Sequence, residues 1–138
     1  MIHTQKSLDE LSYRVLGAAI EVHKFLGPGL LESVYQKCLA TELRFKSIEF
    51  ETELSIPIIY RDQKVETLLR CDFLVEEILV LELKSVNEIL PLHQAQLMNY
   101  MNLLKVPKGI LINFNVINLF QQGQKTYINK HFDKLNRS

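Results

Sequence analysis

One stretch of the chain combines the pattern of a buried strand with two charged side chains. Residues 78–86 read Ile-Leu-Val-Leu-Glu-Leu-Lys-Ser-Val, a nearly continuous apolar run typical of a central strand covered on both faces. Glu82 and Lys84 are two residues apart, so both side chains leave the same face of that strand. Charges in such a strand are costly unless they are paired or bind a ligand. The stretch therefore predicts either an ion pair at a strand end or a functional site.

The segments around this strand predict a mixed β-sheet with helices packed on it. Apolar residues recur at three- and four-residue steps after Ser7, which forms a capping box with Glu10. Later the apolar period changes to two, and Pro91 stands at the start of a further helix. The order αα-βββ-α-β places the chain in the α/β class. The predicted elements are helices over 7–26, 30–46 and 91–104, strands near 53–58, 65–75, 78–86 and 109–114, a turn at 60–63, a short strand at 116–120 and a turn at 121–124.

Length and composition bound the classes of protein to which this chain can belong. Its 138 residues suffice for one domain, residues 1–138, and 47% hydrophobic residues suit a packed core. The 16 basic and 16 acidic residues cancel, which argues against a nucleic-acid binder that works by bulk charge and leaves a local basic strip open. Residues 125–138 have a local charge of +3 and are expected to form a solvated tail. The spacing of Cys38 and Cys71 fits neither a metal site nor a disulfide framework. The chain has no apolar run long enough to cross a bilayer and no signal-peptide pattern at its N-terminus, so we expect a cytoplasmic protein without a membrane partner.

Asp72 adds a second carboxylate on the strand that precedes Glu82. A two-residue turn at Glu76-Glu77 would put Asp72 on the wrong face, whereas a three-residue loop or a bulge would put it on the face of Glu82 and Lys84. Only the second register lets the apolar positions of both strands share one core face. Two carboxylates and an ammonium group can bind a hard divalent cation, with the Leu83 carbonyl as a third ligand, or can form a buried ion-pair network. The apolar positions are Leu69, Cys71, Phe73 and Val75 on one strand and Leu79, Leu81 and Leu83 on the other.

The helix predicted after this strand carries a polar sector. His93, Gln96 and Tyr100 fall within roughly 60° of one another at 100° per residue, with apolar side chains on both flanks. Polar groups in an apolar face need partners, so we expect Gln96 and Tyr100 to point toward the acidic cluster. Glu32 lies one turn before Tyr35 at the start of the second predicted helix, where an acidic residue ordinarily compensates the helix dipole. We expect Glu32 on the same side of the sheet as the acidic cluster.

Together these motifs resemble a known family. They resemble the GxxExxY family, which is placed in the PD-(D/E)XK nuclease superfamily, and the resemblance covers about residues 8–114. It implies a restriction-endonuclease-like mixed sheet flanked by helices. Gln96 and Tyr100 are also similar to the QxxxY motif of RecB-like members. The motifs are, in chain order, Gly29, Glu32 and Tyr35 within GPGLLESVY, then Asp72, then Glu82 to Lys84 as ELK, then LHQAQLMNY over residues 92–100.

The resemblance implies a metal-dependent nuclease that hydrolyses phosphodiester bonds in nucleic acid. The expected substrate is DNA, the expected cofactor is Mg²⁺ or Mn²⁺, and a homodimer stays open. Two other functions stay open as well: a non-catalytic nucleic-acid-binding or regulatory domain that keeps the nuclease fold, and a hydrolase of a small phosphorylated molecule, which a deep closed pocket would support. The expected catalytic residues are Glu32, Asp72, Glu82, Lys84, Gln96 and Tyr100, and the expected metal ligands are Asp72, Glu82 and Leu83.

Overall fold

Five helices and seven strands are distributed along residues 2–138, the part of the chain that the computed structural model describes. The helices are α1 (Gln5–Leu26), α2 (Glu32–Phe45), α3 (Pro91–Leu104), α4 (Leu119–Gln122) and α5 (Lys130–Asp133). The strands are β1 (Phe50–Ser55), β2 (Ile58–Tyr60), β3 (Gln63–Val65), β4 (Arg70–Val75), β5 (Leu79–Lys84), β6 (Lys108–Asn113) and β7 (Gln124–Ile128).

Five of the strands form one mixed sheet in the order β1-β4-β5-β6-β7. The central pair, β5 and β6, is parallel and is joined by α3, while the other neighbours are antiparallel. Both central strands are apolar along most of their length, which fits strands covered on two faces. The predicted α/β architecture is therefore confirmed. Within residues 2–138, no helix has the length and apolar content needed to cross a membrane.

Helices cover both faces of this sheet. On one face, α1 and α2 pack against a core that includes Phe73 and Leu81, and we call it the helix-pair face. On the other face, α3 packs against a core that includes Val80 and Leu111, and we call it the α3 face. Since side chains alternate between faces along a strand, these two cores account for the apolar run of β5.

The first helix begins earlier than predicted and has a different cap. Thr4 is the N-cap: its Oγ1 accepts from the Ser7 N–H at 3.0 Å, and its own N–H donates to the Ser7 Oγ at 2.8 Å. The capping box predicted for Ser7 and Glu10 is therefore wrong. A threonine and a serine three residues apart satisfy both backbone groups in the same way that a box closed by an acidic residue does.

Between β1 and β4 the chain forms a separate hairpin. β2 and β3 pair only with each other, and the turn predicted at 60–63 is confirmed. Arg61 and Asp62 have φ values of 50° and 64°, as a two-residue type I′ turn requires. Each of the strands predicted near 53–58 and 65–75 is therefore interrupted in the structure. The sequence does not reveal the interruptions, because its alternation of apolar and polar residues continues through the segments that join the hairpin to β1 and β4.

The C-terminal segment is folded, so the prediction of a solvated tail is wrong. β7 pairs antiparallel with β6 as an edge strand. Its residues are polar and half-exposed, so the sequence does not indicate a strand there. The strand predicted at 116–120 is also wrong, because Asn118 caps the short helix α4 there. The last residues return to α1, where the Gln5 N–H donates to the Asn136 carbonyl at 2.7 Å.

Candidate functional site

The hairpin of β4 and β5 is closed near its turn and open at its other end. The ladder runs from Val75 opposite Leu79 to Phe73 opposite Leu81, so the loop has three residues and the predicted register is confirmed. Beyond this point β4 remains paired with β1, and β5 remains paired with β6. The two strands therefore separate from each other while each keeps its outer neighbour.

Two carboxylates fill the gap between the separated strands. The Asp72 N–H donates to the Glu82 Oε2 at 2.7 Å, and the Leu83 N–H donates to the Asp72 Oδ2 at 2.7 Å. We call these three residues the fork. The second oxygen of each carboxylate accepts no hydrogen bond from residues 2–138, and no side-chain oxygen in that range is both buried and without a partner. Both second oxygens therefore face space that solvent or a ligand can reach.

The fork holds two ionisable carboxyl groups in a poorly solvated place. Glu82 is only 4% exposed, and burial followed by repulsion from Asp72 raises the pKa of Glu82 from 4.5 to about 8. Burial also raises the pKa of Asp72 from 3.8 to about 6, although the hydrogen bond from Leu83 opposes this shift. Each carboxylate therefore carries its charge at a cost in free energy. A cation bound between them would remove that cost.

Lys84 lies close enough to influence the fork without contacting a carboxylate. Its charge lowers the pKa of both Asp72 and Glu82, against the larger effect of burial. No fork residue takes part in an ion pair with the rest of the described chain. The ion pairs within residues 2–138 are His3–Glu76, Lys24–Glu21 and Lys108–Asp9. Direct contact with lysine is thus not what holds the two carboxylates, and the buried ion-pair alternative loses its support.

α3 places a phenol beside the fork. Tyr100 is 5% exposed, and burial together with the charge of Glu82 raises the pKa of its hydroxyl. Gln96 Nε2 donates to that hydroxyl at 3.1 Å, and this hydrogen bond opposes the rise in the pKa of Tyr100. His93 instead caps the start of α3, where its Nδ1 accepts a hydrogen bond from the Leu90 N–H at 3.0 Å. The polar sector of α3 therefore divides into a helix cap and a hydrogen-bonded pair, of which Tyr100 is influenced by the charge of Glu82.

The fold and this cluster of residues agree with one comparison to known proteins. A family model described as the PD-(D/E)XK nuclease superfamily matches residues 9–126. The chain belongs to the PD-(D/E)XK nuclease superfamily. No curated protein and no solved structure matches it. Membership confirms the expected restriction-endonuclease-like fold and supports a nuclease-type function.

In this member of the superfamily, the tyrosine of the GPGLLESVY stretch anchors the start of α2. Tyr35 is fully buried and stacks on Phe114 with ring centroids 4.3 Å apart. Its hydroxyl donates to the Gly27 carbonyl at 2.6 Å and accepts from the Leu30 N–H at 3.2 Å. The tyrosine thereby fixes the turn that leads into α2, whose first residue is the exposed Glu32.

Glu32 approaches the fork around the end of the sheet. Its helix packs on the helix-pair face, whereas Tyr100 lies on the α3 face, and the position of Glu32 on the side of the acidic cluster stays a prediction. The charge of Glu32 nevertheless raises the pKa of Asp72. The loop before α2 reaches the end of β5, where the Ser85 Oγ donates to the Leu30 carbonyl at 2.6 Å. This contact explains how a helix on the opposite face places its first residue near the site.

At the fork, the side chains of β1 and β4 switch from one face of the sheet to the other. Phe50 packs with the helix-pair core and Leu54 packs with the α3-face core, although residues four apart in a regular strand share a face. Glu53 lies between them with a left-handed φ of 53°, which breaks the alternation. Cys71, opposite Leu54, turns as well, so the prediction that it shares a face with Phe73 is wrong.

Two polar residues at the fork were missed in the sequence. Gln36 Nε2 donates to the Glu53 Oε1 at 3.0 Å and to the Asp72 carbonyl at 3.4 Å, which links α2 to β1 and β4. Repulsion from Glu53 raises the pKa of Asp72 and of Glu82. The available signal for Gln36 was its position four residues after Glu32, on the same side of one helix. Nothing in the sequence marks Glu53.

The donor atoms at the fork suit a hard divalent cation. Asp72 and Glu82 offer carboxylate oxygens, and the Leu83 carbonyl faces the fork because the two backbone groups of a strand residue point the same way. Burial raises the pKa of Cys71 to about 12, so its thiol stays protonated and is no soft ligand. Within residues 2–138, no three His, Cys, Asp or Glu side chains form a metal-binding group. The coordination of a cation would therefore be completed by the Leu83 carbonyl, water and substrate oxygens.

Proposed function

We propose that the protein is a divalent-cation-dependent nuclease of the GxxExxY branch that hydrolyses phosphodiester bonds in DNA. The observation that carries the proposal is the fork: two carboxylates with raised pKa values, each with one oxygen left free, and no lysine in contact. Such a pair is unfavourable by itself and favourable around a cation. Superfamily membership supports the nuclease chemistry.

Asp72, Glu82 and the Leu83 carbonyl are the proposed metal ligands. Hard oxygen donors favour Mg²⁺ or Mn²⁺ over Zn²⁺. A bound cation of this kind lowers the pKa of a water ligand and polarises a phosphoryl oxygen. The mutual repulsion of Asp72 and Glu82 keeps the site ready for a cation, since no protein group neutralises them by contact.

Lys84 is the proposed group for the water and the phosphate. It leaves the same face of β5 as Glu82 and has no carboxylate within ion-pair distance, so its ammonium group is free to stabilise charge that develops on a phosphate. We assign Tyr100 and Gln96 to positioning substrate at the α3 face, because they form a hydrogen-bonded pair and the charge of Glu82 raises the pKa of Tyr100. Glu32 acts at longer range through its charge on Asp72.

The surface favours nucleic acid over a small phosphorylated molecule. Three recesses, of about 880, 590 and 590 Å³, are lined by residues other than Asp72, Glu82 and Lys84. The fork instead opens at the end of the sheet, where the strands separate. A site of this shape admits a chain that continues beyond the reacting phosphate.

The test is incubation with single- and double-stranded DNA and RNA, with Mg²⁺, Mn²⁺ or excess chelator. We expect cation-dependent cleavage of DNA, and we expect Lys84→Ala to lower its rate by about 100-fold or more. The matched control is Lys64→Ala, which removes an exposed lysine from the β2–β3 hairpin and should cleave like wild type. The Lys84 variant should still be stabilised by Mn²⁺, because lysine is not a ligand.

The outcomes separate the proposed function from its rival. Mn²⁺ stabilisation that disappears in Asp72→Ala, without cleavage of any nucleic acid, would favour the non-catalytic binding or regulatory domain. Cleavage of RNA alone would correct the substrate and keep the mechanism. Equal cleavage by wild type and by Lys84→Ala would overturn the role of the lysine.

A further inference from the structure

Although the net charge of the chain is zero, its acidic and basic residues are unevenly distributed along the sequence. Residues 1–88 contain ten basic and fifteen acidic side chains, a net charge of −5. Residues 89–138 contain six basic side chains and a single acidic one, Asp133, a net charge of +5. The second segment forms α3, β6, α4, β7 and α5. Its Lys108 is paired with Asp9 of α1, so the excess positive charge lies on the other basic side chains of the segment.

Three of these basic side chains, with one histidine, gather where α3 ends and α5 begins. Lys105, at the C-terminus of α3, lines a recess of about 590 Å³ together with Lys130 and His131 of α5. Lys134 follows Lys130 by four residues, and we call these four residues the basic patch. All three lysines are exposed, and none has a carboxylate within ion-pair distance among the described residues. Partial burial, followed by the charges of Lys134, Lys130 and Lys105, lowers the pKa of His131, which agrees with the position of these lysines around the imidazole.

The backbone that carries the basic patch is held in place by hydrogen bonds. Asn129 Nδ2 donates to the Asn102 Oδ1 at 3.0 Å and to the Val106 carbonyl at 2.9 Å, and its Oδ1 accepts from the His131 N–H at 3.0 Å. These bonds tie the start of α5 to the end of α3. Like charges are therefore kept together on a fixed surface at a cost in free energy, and a polyanion would offset that cost.

The basic patch and the fork lie on opposite sides of one helix. Asn102 is about 200° around α3 from Tyr100, and Lys105 is about 7.5 Å along the axis from Tyr100. With a helix diameter of about 10 Å, this places the two sites roughly 12–17 Å apart, a distance that a few nucleotides span. A single nucleic-acid strand that crosses α3 can therefore reach both.

We propose that the basic patch, formed by Lys105, Lys130, His131 and Lys134, binds phosphates of the nucleic acid whose cleavage we assign to the fork. The proposal rests on the proposed function for its ligand and goes beyond it by naming a second contact surface outside the site. A polyanion fits these groups better than a single phosphate does, because Lys105 and Lys130 line one recess from two elements and Lys134 extends the charge beyond that recess. The contact is independent of base sequence, since cations that face phosphates read charge alone.

The experiment measures binding and keeps it separate from cleavage. Anisotropy of labelled single- and double-stranded DNA is recorded without divalent cations at 50–200 mM NaCl, a range over which phosphate contacts lose affinity steeply. The test variant is Lys105→Glu/Lys130→Glu/Lys134→Glu. The control variant, Lys6→Glu/Lys24→Glu/Lys37→Glu, makes the same change in net charge on exposed positions of α1 and α2. The thermal shift with Mn²⁺ is measured on every variant to report whether the fork is intact.

We expect the test variant to bind at least about tenfold more weakly and to reduce the slope of log affinity against log salt by about two to three. The control variant should keep most of the affinity and the slope. Equal losses in the two variants, or no loss in the test variant, would overturn the proposal. So would wild-type protein that binds anionic vesicles, or that dimerises at low salt, but binds no nucleic acid. DNA binding that needs the basic patch, without cleavage under any condition, would sink the hydrolytic function and leave the basic patch assigned.

Discussion

The two ends of the β4–β5 hairpin differ in the side chains that they bury and in the hydrogen bonds that join the strands. Near the turn, Phe73, Val75, Leu79 and Leu81 are fully buried and the ladder is regular. At the other end the ladder stops, and carboxylate–amide hydrogen bonds take its place. The closed end gains stability from apolar burial. The open end holds two carboxyl groups whose ionised forms burial makes unfavourable.

This contrast shows how one pair of strands can supply both stability and a site. The strands separate at the fork while each keeps its outer neighbour, so opening the hairpin does not detach either strand from the sheet. The cost of the open end is therefore borne by a core that extends over both faces of the sheet. A change at the closed end should alter stability, and a change at the open end should alter the response to protons and cations.

The largest expected effect is at the closed end. Phe73→Ala removes a fully buried ring that lies 5.6 Å from the Phe50 ring and should lower the free energy of unfolding by about 3–5 kcal/mol. Urea denaturation measures the loss, and Phe45→Ala, at an 81% exposed position, is the control with little expected effect. A loss below about 1 kcal/mol for Phe73→Ala would show that the closed end does not carry the stability.

The next effect concerns the open end and pH. Because the pKa of Glu82 is raised from 4.5 to about 8, the native state binds more protons than the unfolded chain between these values. Stability without metal should therefore fall as pH rises through this range, by roughly 1–3 kcal/mol. Glu82→Gln should remove most of this slope and be the more stable protein at pH 8. The exposed control Glu66→Gln should keep the slope, and a wild-type stability that is flat or rises from pH 5 to pH 8 would contradict the account.

A smaller effect is expected beside the fork. Tyr100→Phe removes the hydroxyl that accepts from Gln96 and should cost about 0.5–1.5 kcal/mol, because the glutamine amide is only partly buried and can bond to water instead. The stabilisation by Mn²⁺ should persist, since the phenol is not a proposed ligand. Complete loss of the Mn²⁺ effect in this variant would place the tyrosine in the metal site. Tyr60→Phe, at an exposed position, is the matched control.

The smallest effect is expected at the end of the sheet. Glu32→Gln changes an exposed side chain and should leave the free energy of unfolding within about 0.5 kcal/mol of wild type. It should lower the pKa of Asp72 toward its ordinary value, because the charge of Glu32 contributes to raising it. Carbon-detected NMR titration of the carboxyl group measures this shift. An unchanged pKa would remove Glu32 from the electrostatics of the site.

Apolar spacing was sufficient to predict the central part of the fold. The alternation on β4 and β5 required the three-residue loop, and that register brings Asp72 to Glu82. The prediction could be made because slipping one residue would expose a whole apolar face. Pro91 likewise marked the first residue of α3.

The sequence could not predict where the alternation fails. Glu53 adopts a left-handed backbone without being glycine or asparagine, so the turnover that moves Cys71 to the α3 face leaves no local signal. The side on which Glu32 lies depends on the loop across the sheet end, which is set by tertiary contacts of Tyr35 and Ser85. The strand β7 was missed because an edge strand with polar, exposed residues has the composition of a tail.

The most direct test of the central claim is the melting temperature of the protein against Mn²⁺ or Mg²⁺ concentration, compared with Asp72→Asn. If the fork is a cation site, wild type should gain about 2.7 kcal/mol at a hundredfold excess over the dissociation constant, with a corresponding rise in melting temperature. Asp72→Asn should show no rise, whereas Asp62→Asn, in the exposed β2–β3 turn, should behave like wild type. An equal rise in wild type and Asp72→Asn, or no rise in wild type at millimolar cation, would contradict the assignment of the fork as a metal site.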